Sequence, residues 1–299
     1  AALAAMPDTK SSAYAKEDVD RLKSVFKQVD VDGDGLLTFA EMRELLNRCA
    51  GGDGMGLSDP DLQKLYASVD TNHNGKVEFD ELVDFLCKEA TNHLQALAQS
   101  IRYQMLGENK DAVVVCILGS TAFSNPDTEE LVKATAKELG AREGLVFCSG
   151  GNKGVQETWA QAVGDGQRLF QIMPAGKQSG YPVGTDIIGG ATAEERQMVV
   201  GSVGDVYLCF EGGPGVAKEA RVAFSHGSAL VPMIRTGGAS EGMFDFPAAA
   251  MTCPAIASKE QFAKLSDKAS IADSAKAAAE LAVALGKEVA AARAKAARG

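Results

Sequence analysis

The chain has 299 residues, 45% of them hydrophobic and 23% charged, with a formal net charge of −10. That length and apolar content suffice for two domains with cores of their own, and the acidic balance argues against a dedicated nucleic-acid partner. The acidity is uneven. Residues 1–106 hold 11 Lys and Arg against 18 Asp and Glu, and residues 107–299 hold 19 against 22. Six cysteines stand at positions 49, 87, 116, 148, 209 and 253 with no Cys-x-x-Cys or Cys/His cluster, which speaks against zinc. Cys116, Cys148 and Cys209 lie in apolar runs, and buried free thiols point to an intracellular reducing compartment. No run of 18 apolar residues occurs, so no membrane span is expected. The start, AALAAMPDTK, has no leading Met, as expected of a processed or trimmed form in which a removed targeting peptide would leave no trace, and the expected location is the cytoplasm or an organelle after targeting-peptide removal.

In chain order, residues 1–14 read as a loose N-terminus. Residues 15–87 repeat one pattern twice: amphipathic helix, acidic loop, amphipathic helix. The first entering helix carries Val19, Leu22, Val25, Phe26 and Val29 at helical spacing. In the second, Ser58 suits the cap and Pro60 the first turn, ahead of Leu62, Leu65, Tyr66 and Val69. The exiting helices use Phe39, Met42, Leu45 and Leu46, then Phe79, Leu82, Val83 and Leu86. AGGDGMG, residues 50–56, reads as a flexible joint. Residues 88–111 read as a connecting helix and linker, with GENKD (107–111) ending the helix.

The two acidic loops are twelve residues long. Asp30, Asp32, Asp34, Leu36, Thr38 and Glu41 hold positions 1, 3, 5, 7, 9 and 12 of the first, with Gly35 at position 6. Asp70, Asn72, Asn74, Lys76, Glu78 and Glu81 repeat the spacing around Gly75. Calcium is a hard cation that takes about seven oxygens in a flexible cage. Short carboxylates and amides at alternate positions converge on one point, and the glycine permits the sharp turn. Position 7 lends only a backbone carbonyl, so the side chains of Leu36 and Lys76 are expected not to matter. This arrangement resembles the EF-hand pattern and implies two calcium sites. A solvated acidic turn, or a degenerate hand that no longer binds, is the alternative. Sensor and buffer roles both remain open.

From residue 112 the grammar changes. AVVVCIL, GLVFC, RLFQIM, DVYLCF and ALVPMI are short apolar runs separated by helical stretches, the alternation of a parallel sheet with crossover helices. Residues 112–270 are therefore expected to form an α/β Rossmann-like domain. The Ala-rich tail, 271–299, is expected to be a helix packed on it. The fold class is an all-α domain followed by an α/β parallel-sheet domain. Gly119 and Ser120 follow the first run, Gly150, Gly151 and Gly154 the second, and Gly212, Gly213, Gly215 and Val216 a later one. Three such turns at carboxyl ends of parallel strands point at one crevice, and helix N-termini there favour an anion. Tight strand-to-helix turns without a ligand are the alternative. No G-x-x-x-x-G-K-[ST] occurs, so the domain is not a P-loop ATPase.

EGGPGVAKE (211–219), CSGGNKGVQE and QIMPAG make the region 110–240 similar to the Rossmann-like superfamily of LOG phosphoribohydrolases, DprA/Smf proteins, molybdenum-cofactor carriers and the TRPM channel N-terminal region. LOG enzymes carry an arginine, an aspartate at a strand start, then P-G-G-x-G-T-x-x-E. Arg196, Asp205, Gly212, Gly213, Gly215 and Glu219 fall on that pattern. The resemblance implies Glu219 as the catalytic carboxylate in hydrolysing the N-glycosidic bond of a nucleoside 5′-monophosphate, with Arg196 orienting substrate or carboxylate. Glu211 replaces the proline, Val216 the threonine and Gln197 a lysine, which weakens the phosphate grip. A salt bridge, or two solvated helix charges, is the alternative reading of the Arg196 and Glu219 pair. Three functions follow as expectations: calcium-controlled binding of a nucleotide-like small molecule, calcium-regulated phosphoribohydrolase activity, or a calcium-binding subunit docked on a larger protein assembly, with an oligomer possible. His73 is expected in solvent, His226 at a helix end and Trp159 in the core.

Overall fold

The computed structural model describes residues 16–49, 58–266 and 269–296. The expectations for 1–14 and for the joint at 50–56 lie outside the described residues. The chain divides into two compact units, 1–93 and 94–299.

In the first unit α1 (Lys16–Val29) leads through an acidic loop and β1 (Leu36–Leu37) into α2 (Phe39–Cys49). α3 (Asp59–Val69) leads through β2 (Val77–Glu78) into α4 (Phe79–Leu106). Ser58 caps α3 by accepting from the Asp61 amide, and Pro60 occupies the first turn, where no intrahelical donor is required. β1 and β2 pair antiparallel, Leu36 with Glu78 and Leu37 with Val77, which ties the two loops back to back. The apolar stripes meet in one core of Phe26, Val29, Leu37, Met42, Leu45, Tyr66, Val69, Val77 and Leu82. Phe26 and Phe79 meet edge to face at 5.3 Å.

α4 runs through residues 88–106, which continue the exiting helix of the second loop without interruption over 28 residues. Leu82 is buried in the first core, whereas Ala98, Ile101 and Met105 are buried in the core of the second unit. A turn at Gly107, with φ of +52°, then ends the helix, as GENKD predicts.

The second unit is a six-stranded, all-parallel sheet in the order β6-β5-β4-β3-β7-β8. Its elements in sequence are β3 (Val113–Gly119), α5 (Thr128–Gly140), β4 (Leu145–Ser149), α6 (Val155–Ala162), β5 (Leu169–Met173), β6 (Thr185–Ile188), α7 (Ala193–Val203), β7 (Val206–Phe210), α8 (Pro214–Ser225), β8 (Ala229–Met233), α9 (Lys259–Ala263) and α10 (Ile271–Ala296). Five strands match the apolar runs. β6 was not among them, because it is a four-residue edge strand in which only Ile187 is buried. Alternation sends Val113, Val115 and Ile117 to one face, against α5, α6 and α10, and Val114, Cys116 and Leu118 to the other, against α4, α7 and α8. α10 lies close to the sheet because Gly286 has no side chain to strike Val113.

The chain winds outward from β3 to β6, then crosses back to place β7 on the other side of β3. The winding direction reverses between β3 and β7, and in open α/β sheets the ligand crevice lies at the carboxyl ends of such a strand pair.

Candidate functional site

In the first acidic loop, carboxylate oxygens of Asp30, Asp32 and Glu41 lie within 4.8 Å of one another. Asp30 accepts from the amides of Gly33 and Gly35, at 2.9 and 3.0 Å. Glu41 closes the loop: one oxygen accepts from Val31 N at 2.9 Å, the other from Thr38 N and its hydroxyl at 2.8 and 2.7 Å. Those bonds, Thr38 foremost, hold its carboxyl below the usual range. The second loop repeats the design. Asp70 accepts from Asn74 and Gly75, and Glu81 from Thr71, Asn72 and Glu78. Burial pushes Glu81 upward, but the donated bonds outweigh it and the carboxyl is lowered. An all-oxygen, mainly anionic donor set kept ionised is what calcium requires. Leu36 N donates to Asp34 Oδ1 at 2.9 Å, Asn74 N to Asn72 Oδ1 at 3.0 Å and Asn72 Nδ2 to Glu78 Oε1 at 3.2 Å.

Lys76 departs from expectation. Its side chain crosses to the other loop and forms an ion pair with Asp34, lowering the Asp34 carboxyl. The lysine therefore competes with a cation for one ligand of the first loop.

The second candidate site lies at the carboxyl ends of β4, β3 and β7. Two of its glycines are used for packing. A Cβ on Gly119 would fall 2.5 Å from Val155, and one on Gly154, at φ +73°, 2.6 Å from Ser120 O. The turns after β3 and β4 thus press on each other there, and no ligand is required to explain either glycine. Gly150 leaves room for the Arg196 guanidinium, Gly151 for Met173, and Gly212, at φ +103°, for Val216. Gly213 and Gly215 differ. Nothing lies within 4 Å of a Cβ on Gly213, and on Gly215 only Gln197 Nε2 at 3.5 Å. The open side of the crevice is therefore the start of α8, whose Gly213 cap offers no side chain. The amides of Gly215 and Val216, in the first turn, have no intrahelical acceptor by position.

Arg196 from α7 and Glu219 from α8 meet beside this opening, Nη1 to Oε1 3.3 Å. Both are buried, 8% and 4% exposed, so the pair is a buried salt bridge and not two solvated helix charges. Burial raises Glu219 to about 7, and Arg196 followed by Lys218 offsets only part of that rise. A long contact through one guanidinium nitrogen does not compensate the desolvation of a carboxylate.

Glu211, which replaces the motif's proline, turns its own carboxylate into the reversal point. It accepts from Ser120 Oγ at 2.7 Å, Ser124 N at 3.0 Å and Asn125 N at 2.9 Å. Burial pushes its carboxyl up, but those donors, the Asn125 amide first, bring it below the usual range. Ser120, expected to face a ligand, donates to Glu211 instead. The sequence marks Glu211 only as a departure. Its partners lie 86 to 91 residues away, which no local pattern reveals.

Asp205 sits at the opposite, amino-terminal end of β7, fully buried. It accepts from Arg102 Nη2 at 2.8 Å, Arg293 Nη1 at 3.0 Å and Val114 N at 2.9 Å. It belongs to the scaffold. His73 is exposed, His226 caps α8 with Nδ1 2.8 Å from Val222 O, and Trp159 is fully buried.

Residues 19–87 match the family model of an EF-hand domain pair, and residues 112–260 match the SLOG cluster4 family. Probable calcium-binding protein CML15 of Arabidopsis thaliana is 41% identical over 68 residues, covering 23% of this chain and 41% of that protein. Probable calcium-binding protein CML16 of Oryza sativa subsp. japonica is 38% identical over 69 residues, covering 23% of this chain and 36% of that protein. The chain thus spans less than half the length of these relatives. A solved structure of TM1055 aligns over 44% of this chain and 79% of its own, at 22% identity and a TM-score of 0.38. Among the described residues no helix is long and apolar enough to cross a membrane.

Proposed function

We propose that this chain, a calcium-binding EF-hand pair joined to a Rossmann-like SLOG-type domain, binds a nucleotide or nucleotide-derived ligand under calcium control. The observation that carries the reading is the buried Arg196 and Glu219 pair beside the open first turn of α8. The Gly215 and Val216 amides and the helix dipole receive the ligand's phosphate. Arg196 adds a fixed positive charge. Val216 supplies no hydroxyl, so the grip is one hydrogen bond short of the threonine-bearing motif.

Control runs through α4. Glu81, the closing ligand of the second loop, is in its first turn, while Ala98, Ile101 and Met105 are set in the sheet core and Arg102 is bonded to Asp205. Calcium changes the angle between the helices of a sensor hand, and a continuous helix carries that change to β7, whose far end is Glu211 and the α8 turn.

A second reading, hydrolysis of the N-glycosidic bond, is favoured by Glu219 alone. A carboxyl raised to about 7 exists in both protonation states near neutrality. In that reaction the water oxygen bonds to the anomeric carbon and the C–N pair leaves with the base. The carboxylate takes the water's proton and returns it to the base.

Adenosine 5′-monophosphate titrated by calorimetry, with and without saturating calcium, tests the first reading. Coupling of the usual size raises affinity about 5- to 150-fold, and the nucleotide raises calcium affinity by the same factor. Equal affinities in both states would separate binding from calcium. Free adenine detected by chromatography, and abolished in Glu219→Gln, would establish the hydrolase. No binding of any nucleoside monophosphate would leave the docking-subunit reading.

A further inference from the structure

The point where the sheet's winding reverses is where an open α/β sheet offers its ligand crevice, and here it is already filled from within. The turn after β3 presents a hydroxyl and two consecutive amides, Ser120 Oγ, Ser124 N and Asn125 N, all aimed at one place just ahead of α5. Such a convergence is an anion cradle. Its occupant is the Glu211 carboxylate, 3% exposed. The backbone is shaped to deliver it: Glu211 has a φ of +49°, in the left-handed region. Its amide is held by Thr236 Oγ1 at 2.7 Å and its carbonyl by Ser240 Oγ at 2.9 Å. A non-glycine residue held in that conformation by bonds on both sides is costly to place and is over-determined by its surroundings. No arginine or lysine pairs with this carboxylate among the described hydrogen bonds and ion pairs, so the cradle itself stabilises the charge.

We propose that Glu211 is a built-in anion that decides what the crevice accepts. The part of a ligand lying over the β3 turn is neutral or cationic, and a single anionic group is confined to the α8 end. A ligand with one phosphate and an uncharged sugar or base fits this division, and one that places a second phosphate over the β3 turn meets a fixed negative charge in an occupied cradle. The position of the ligand's own phosphate rests on the function proposed above. The filled cradle does not.

Inorganic phosphate is the probe, because it carries no base and its outcome is independent of whether nucleotides bind. The full chain as wild type, Glu211→Gly and Glu211→Gln is melted in phosphate and in chloride at matched ionic strength. Glycine empties the cradle and suits the positive φ, whereas glutamine keeps it filled with a neutral group of the same size. Phosphate should raise the midpoint of Glu211→Gly by about 3–5 °C more than that of wild type at roughly tenfold its dissociation constant, with Glu211→Gln behaving as wild type. If Glu211→Gly folds only when phosphate is present, the proposal also holds. Equal shifts in all three proteins, or a Glu211→Gly chain that phosphate neither stabilises nor restores, overturns it.

Discussion

Glu219 is a carboxyl whose folded-state value, about 7, stands above its ordinary 4.5. Between those values the native state binds more protons than the unfolded chain, so stability falls as pH rises from about 4.5 to 7 and is level above that. For a shift of this size in a fully buried group the loss is on the order of 3 kcal/mol. Glu219→Gln should remove that slope, which denaturant titrations at pH 5, 6, 7 and 8 would read; parallel profiles in the two proteins would place the charge elsewhere. In the loops, Lys76→Gln should tighten calcium at the first site about two- to five-fold, the scale of an exposed ion pair, because Asp34 is released. Glu41→Gln and Glu81→Gln should each weaken one site by removing a closing charge. Calorimetry checks all three, and an unchanged first site in Lys76→Gln would make the pair incidental.

Among the elements, α4 has the largest consequence. It is 28 residues long, and its two ends belong to different cores. Glu89→Gly with Ala90→Gly weakens its middle by about 1 kcal/mol per residue in helix propensity and touches no calcium ligand. Calcium affinity should persist, while any calcium dependence of nucleotide affinity should fall. Persistence of that dependence in the double variant would exclude the helix as the route. Arg102→Ala acts at the other end. Asp205 keeps Arg293 and the Val114 amide, so the cost should be about 1–3 kcal/mol, that of a lost charge-assisted bond.

At the scale of the whole molecule, two units with separate cores should melt as two transitions. Calcium stabilises what binds it by mass action, about 2.7 kcal/mol at a hundredfold excess over the dissociation constant. Chelation should therefore lower the first unit's transition. If α4 couples the units, the second transition should move with it in calorimetric scans, and an unmoved second transition would mean that the sheet unit is indifferent to calcium.

The architecture follows from local order in the chain. Oxygen-bearing residues at alternate positions around Gly35 and Gly75 define the loops, and apolar runs of β length between helical stretches define five of the six strands of the parallel sheet. Each of those signals lies within a dozen residues and depends on backbone geometry alone. The rest depends on long-range pairing. Asp34 meets Lys76 across 42 residues, Arg102 meets Asp205 across 103, and Glu211 reaches Ser120 across 91. A charged residue written in a sequence has no stated partner. Whether its charge is screened by water, spent on an ion pair or held in an amide cradle is set by burial and by what the fold brings beside it. The Arg196 and Glu219 pair was legible only through the resemblance to the LOG motif, which carries an arginine and a glutamate at these positions. Its burial, and the rise of the Glu219 carboxyl, came from α7 and α8 closing over the sheet.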